Sequence, residues 1–156
     1  MRFQMTDLSE YDRIQLLIAI EAQQREEVLD ALGPHFELSF VSTINQLEVV
    51  LGSGNSKTYH LVICSTDFDE SRMFQMLDLL RHGSHLKSLP FVVLDAHPLS
   101  LNAGTTKAAI ELMGARYLRL PEGKDPSFEG NLREAVLASL MRSNREDAQI
   151  EIARKS

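Results

Sequence analysis

Four short apolar runs punctuate the chain: Leu16 to Ile20, Leu61 to Cys64, Phe91 to Leu94 and Tyr117 to Leu120. A fifth segment, His35 to Val41, alternates, with Phe36, Leu38 and Phe40 on one side. Alternation predicts a strand with one face half exposed. Continuous runs this short predict strands covered on both faces, as in a parallel sheet. The intervening segments change period. Glu21 to Leu32 carries an apolar stripe of Ala22, Val28, Leu29 and Leu32, stopped by Gly33-Pro34. Thr43 to Leu51 sets Ile44, Leu47, Val50 and Leu51 on one side, and Glu70 to Arg81 does the same with Met73, Phe74, Leu77 and Leu80. Leu101 to Met113 predicts a helix ending at Gly114. Asp125-Pro126 then supplies an N-cap and a first-turn proline for a stripe of Phe128, Leu132, Val136 and Leu140.

Strand and helix alternate five times, which predicts an α/β fold: a three-layer, doubly wound, five-stranded parallel sheet with helices on both faces. Chemistry is then expected at the carboxyl ends of the strands. Residues 13–143 form the expected single domain. Residues 1–12 read as a polar tail, and 144–156 as a second tail or an extension of the last helix.

A length of 156 residues, 44% hydrophobic and 24% charged, is ordinary for a globular domain and excludes a disordered or disulfide-built chain. Sixteen basic against 22 acidic residues leave a net charge of -6, a poor basis for binding nucleic acid or an anionic membrane. The single cysteine, Cys64, lies inside an apolar run and reads as a small buried hydrophobe. The N-terminus lacks the apolar core of a signal peptide, and no apolar stretch reaches the ~20 residues needed to span a bilayer. These features predict a soluble cytoplasmic protein.

Motifs with chemical meaning are few. Gly52-Ser-Gly-Asn-Ser-Lys57 follows a helix and precedes a strand, the reverse of a phosphate loop, and reads as a turn. His82, His85 and His97 lack the further ligand that a zinc site needs. Ser84 to Lys87 matches S-x-x-K without its supporting motifs. Glu21, Ser65, Thr66, Asp67 and Asp95 gather at predicted strand ends, where carboxylates could hold Mg²⁺ or merely cap helices.

In this arrangement the chain resembles a response-regulator receiver domain, from about Arg13 to Leu140. Leu89-Pro-Phe-Val-Val-Leu-Asp-Ala96 resembles that family's fourth strand, L-P-[apolar]₄-[ST]-A. Gly114-Ala-Arg-Tyr-Leu-Arg-Leu-Pro121 resembles G-A-x-x-Y-[apolar]₂-K-P, one residue shorter. His60 to Ser65 resembles the third strand, and Leu16 to Glu21 the first with its acidic pair. The resemblance implies a flavodoxin-like, CheY-like fold and a bacterial two-component setting.

The departures from the family pattern carry the functional expectation. The phosphoacceptor position holds Ser65, the acidic pair is reduced to Ile20-Glu21, the Ser/Thr position is Asp95 and the Lys position is Leu120. A serine forms no acyl phosphate, and one remaining acid is too few for a family-type Mg²⁺ site. A carboxylate about 4 Å from a phosphoryl charge opposes it by roughly 4 kcal/mol at an effective dielectric of ~20. The expectation is a pseudo-receiver that is no enzyme, uses no cofactor or metal, and acts by protein–protein interaction. Its partner surface would be the fourth helix, fifth strand and fifth helix, with Lys107, Glu111, Arg116, Tyr117, Arg119 and Arg133, and a homodimer could form there. Asp67 is expected to sit a few ångströms outside the pocket. Two alternatives stay open: a phosphorylatable domain using Asp67 or Asp69, and a ligand-binding or enzymatic domain using Glu21, Asp67 and Asp95.

Overall fold

The computed structural model describes residues 14–52, 59–83, 89–96, 103–121 and 125–155. Strands β1 (Gln15–Ala19), β2 (Glu37–Val41), β3 (Leu61–Ser65), β4 (Phe91–Asp95) and β5 (Arg116–Arg119) form one parallel sheet in the order β2-β1-β3-β4-β5. Helices α1 (Arg25–Leu32), α2 (Ile44–Gly52), α3 (Met73–Gly83), α4 (Ala103–Leu112) and α5 (Pro126–Lys155) connect the strands and close the fold. The expected architecture is therefore the observed one. The N-terminal tail, the turn after Gly52, Ser84 to Lys87, and the side chains of His82, His85 and His97 lie outside the described residues.

Side-chain alternation sorts the core into two layers. Leu16, Ile18, Ile20, Leu61, Ile63, Val92, Leu94 and Leu120 pack with Val28, Ala31 and Leu32 of α1 and Phe128, Leu132, Ala135 and Val136 of α5. Leu17, Ala19, Val62, Cys64 and Val93 face the other way, onto Ile44 and Leu47 of α2, Met73, Met76, Leu77 and Leu80 of α3, and Ile110 of α4. β1 and β3 are buried along nearly their whole length because both faces are covered, which is why their sequences are continuously apolar. Edge strand β2 is only part-buried. Arg25 fastens it to α1, donating to the Ser42 hydroxyl at 2.7 Å with its guanidinium 5.4 Å from the Phe40 ring centroid. Cys64 is fully buried, which pushes its thiol up to about 12 and leaves it inert.

Helix ends follow local chemistry. Thr43 caps α2, accepting the Gln46 N–H at 3.1 Å, and Asp125 caps α5, accepting the Ser127 N–H at 2.9 Å. At Gly33 a Cβ would meet the Leu29 carbonyl oxygen at 2.6 Å, so only glycine lets the chain leave α1 there. Gly114 ends α4 at φ +80°, and the Ala115 N–H reaches back to the Ile110 carbonyl at 3.2 Å. Two helices start later than the periodicity predicts. Ala22–Gln24 is a 3₁₀ turn that precedes α1. α3 begins at Met73, not Glu70, because Asp69, Glu70 and Ser71 take φ of 46°, 58° and 66°.

Candidate functional site

The carboxyl edge of the sheet collects the residues the sequence singled out. Ser65 ends β3, Asp95 ends β4, Leu120 follows β5, and Glu21 lies two residues beyond β1. The Leu120 N–H bonds the Asp95 carbonyl at 2.9 Å and the Thr66 N–H bonds the Leu94 carbonyl at 2.9 Å, so the ladders carry on into the mouth.

Ser65 is fully buried and its hydroxyl donates to the Asp67 carboxylate, while the Asp67 N–H returns a bond to Ser65 Oγ at 3.3 Å. Gln24 Nε2 donates to both oxygens of the same carboxylate, at 3.1 and 3.0 Å. The amide cannot turn away, because Gln24 Oε1 accepts the Glu21 N–H at 3.1 Å and the Glu21 side chain accepts the Gln24 N–H in return. Asp67 is therefore drawn into the mouth, not held outside it as expected. The turn that follows makes this possible. Left-handed backbone at a non-glycine residue costs roughly 1–2 kcal/mol. Against that cost, Phe68 is fully buried, the Arg72 N–H bonds the Phe68 carbonyl at 2.8 Å, and Asp69 accepts the Ile44 N–H at 2.9 Å. Asp69 thus serves as a second cap for α2, which removes it from the pocket.

Asp95, at the end of β4, is 2% exposed. It accepts the Tyr117 hydroxyl at 2.5 Å and the Thr66 hydroxyl at 3.4 Å, and Thr66 itself accepts the Ala96 N–H at 2.9 Å. The carboxylate bonded to Ser65 is that of Asp67. Burial, the bond to Asp95 and the negative charge of Asp95 push the Tyr117 phenol up to about 12, against the opposing pull of Arg119.

A cleft of about 160 Å³ opens beside this network, lined by Gln23, Gln24, Glu27, Asp67, Leu120 and Pro121 among others. Among the described residues its lining holds two carboxylates and no Lys or Arg, and the wall where the resemblance implies a lysine is Leu120 and Pro121. Glu21, Asp67 and Asp95 do not converge: among the described residues, no group of three His, Cys, Asp or Glu is placed to hold a metal ion.

A second, larger hollow of about 800 Å³ runs between α4, β5 and α5. Lys107, Glu111, Arg116 and Tyr117 line it together, as the resemblance implies for a partner face. Lys107 Nζ stands 5.6 Å from the Tyr117 ring centroid and 3.8 Å from Glu111. Arg119 is exposed and meets the Tyr117 hydroxyl, while Arg133 is part-buried and does not line the hollow. Sequence reasoning missed Gln24, whose signal was the Glu21-x-x-Gln24 capping spacing, and Arg142, which lines the hollow from a helix face that periodicity left unassigned.

The sequence matches no family model and no curated protein. Solved structures do match. The signal receiver domain of an HD domain-containing protein from Pseudomonas fluorescens Pf-5 superposes with a TM-score of 0.64 at 19% identity, over 85% of this chain and 98% of that one. A response regulator receiver protein from Burkholderia phymatum gives 0.61 at 17%, over 81% and 94%. The N-terminal signal receiver domain of a two-component system response regulator from Bacteroides fragilis gives 0.60 at 18%, over 81% and 97%. The fold defined here is that of the signalling receiver domains. Among the described residues, no helix is long and apolar enough to cross a membrane.

Proposed function

We propose that this chain is a pseudo-receiver, a signalling module of a bacterial two-component-type pathway that binds a partner protein without an aspartyl-phosphate switch. It performs no catalysis and works in the cytoplasm. One observation carries the reading: the residue at the acceptor position is a buried serine already bonded to Asp67, which Gln24 holds from the other side. A phosphoryl dianion arriving there meets carboxylates and an apolar wall instead of Mg²⁺ ligands and a lysine. Without phosphorylation, output rests on the standing shape of the α4–β5–α5 face, where Lys107, Arg116, Tyr117 and Arg119 are the contacts. Aromatic and Arg side chains are the groups that dominate interface energetics.

The test is capture of partners from the source cell by wild type beside a Tyr117→Ala/Arg119→Ala variant, each with and without acetyl phosphate and Mg²⁺. The same partners should come down with or without the phosphodonor, and the variant should lose them. Partners that come down only with the donor would overturn the proposal.

A second reading, phosphorylation of Asp67, has one observation in its favour: that carboxylate lies in the mouth and not outside it. Its mark would be donor-dependent binding abolished by Asp67→Asn.

A further inference from the structure

Asp69, Glu70 and Ser71 form one left-handed helical turn, with φ of 46°, 58° and 66° and no glycine among them. The Ser71 N–H closes it on the Asp67 carbonyl at 3.3 Å, and the Arg72 N–H on the Phe68 carbonyl at 2.8 Å. Residues with a Cβ visit this region singly and not in succession, because Cβ crowds the following carbonyl. A run of three is stored strain, and it persists only where the surroundings impose it. Glu70 and Ser71 are exposed, so their own burial does not impose it. The hold comes from three anchors. Ser65 and Gln24 grip the Asp67 carboxylate, Phe68 is sealed in the core, and Asp69 accepts the Ile44 N–H at 2.9 Å.

The same residues encode another conformation. Asp67 followed by Glu70 three positions later, just before the apolar stripe of Met73, Leu77 and Leu80, is the start signal of a right-handed helix. Asp69 and Glu70 would then stand at its positive end. Yet the Asp67 side chain caps nothing, and α3 begins only at Met73. Local preference and observed backbone disagree, as they do at strained, functional segments.

We propose that residues 67–72 are a two-state turn that sets the charge of the sheet's mouth. In the second state Asp69, Glu70 and Ser71 invert to right-handed helix, α3 gains a first turn, and Asp67 leaves Ser65 and Gln24 to cap it. The Ile44 N–H at the start of α2 loses its carboxylate in the same step, so mouth and α2 change together. A ligand that grips Asp67 beside Gln24 favours the left-handed state, and one seated on the lengthened α3 favours the other, each by its difference in affinity for the two.

The experiment is NMR on the labelled full chain as wild type, Glu70→Gly/Ser71→Gly and Gln24→Met. Glycine takes left-handed backbone freely and weakens a helix, so the pair favours the observed turn. Methionine keeps the length of Gln24 without its donor to Asp67 and favours the second state. Intraresidue HN–Hα contacts read the sign of φ in the ground state, and saturation-transfer exchange reads the minor state. Expected are positive φ at residues 69–71 and a minor state of about 0.1–10% with right-handed helical shifts there, exchanging at one rate with Asp67 and the Ile44 amide. Its population should fall at least about fivefold in the glycine pair and rise at least about fivefold in Gln24→Met. Exchange first visible in Gln24→Met also supports the proposal. Thermal melts confirm folding; where Gln24→Met does not fold, wild type against the glycine pair decides, and a wild type without exchange overturns it. A right-handed ground state, no exchange in folded Gln24→Met, a minor state without helix at 69–71, indifference to the glycine pair, or exchange that leaves Ile44 unmoved overturns it as well.

Discussion

Replacing Tyr117 by Phe removes one hydroxyl and keeps the ring. In the native structure that hydroxyl donates to Asp95, which is 2% exposed, at 2.5 Å. A further side-chain donor, Thr66, stands at 3.4 Å, which is long for a hydroxyl bond. The variant therefore leaves a buried carboxylate with one fewer close donor. Hydrogen bonds to charged groups contribute about 1.5–3 kcal/mol, so that is the expected loss. For a chain of this length each kcal/mol lowers the melting temperature by roughly 2–4 °C, which predicts a fall of about 3–12 °C. Differential scanning calorimetry of Tyr117→Phe, Asp95→Asn and the double variant forms a cycle. Asp95→Asn keeps an acceptor without the charge and should lose less, and the double variant should show coupling between the two sites. A Tyr117→Phe melting point within about 1 °C of wild type would refute the claim that this hydroxyl holds Asp95 in place.

Other expectations follow from single features. The Tyr117 phenol is pushed up to about 12 in the folded chain, above its ordinary value near 10, so folded protein holds that proton longer than unfolded protein does. This contribution to stability is complete below pH 10 and is lost as pH rises toward 12; a difference titration of phenolate absorbance, wild type against Tyr117→Phe, reads the shift directly. A tyrosine ionising near its ordinary value would contradict it. Gly114→Ala places a Cβ at φ +80° and should cost about 1–2 kcal/mol in urea denaturation. Gly104→Ala, inside α4 with open space around it, should instead stabilise by about 0.4–1 kcal/mol. The two substitutions changing stability in the same direction would count against the geometry assigned to α4.

The fold was legible because burial on both faces leaves a simple mark. Leu61 to Cys64 has no polar position to confuse with a helix stripe, and Met73, Leu77 and Leu80 recur at helical steps with no polar interruption of the buried face. The site was less legible, for reasons that lie outside local pattern. Asp69, Glu70 and Ser71 adopt left-handed backbone without a glycine to announce it, so nothing marked the turn that brings Asp67 inward. The Asp95–Tyr117 bond depends on register between β4 and β5, where Val93 stands opposite Tyr117 and Asp95 opposite Arg119. Sequence supplies the two residues but not that offset. Gln24 could have been found, since Glu-x-x-Gln at a helix start is a capping pattern, but its second hydrogen bond, to Asp67, spans 43 positions.

The most direct measurement is the intact mass of the full chain after incubation with acetyl phosphate and Mg²⁺, beside Asp67→Asn and Ser65→Ala. The proposed pseudo-receiver reading, with Ser65 bonded to Asp67 and Leu120 on the cleft wall, predicts an unchanged mass in all three. A wild-type mass raised by one phosphoryl group, and restored to the unmodified value by Asp67→Asn, would contradict it.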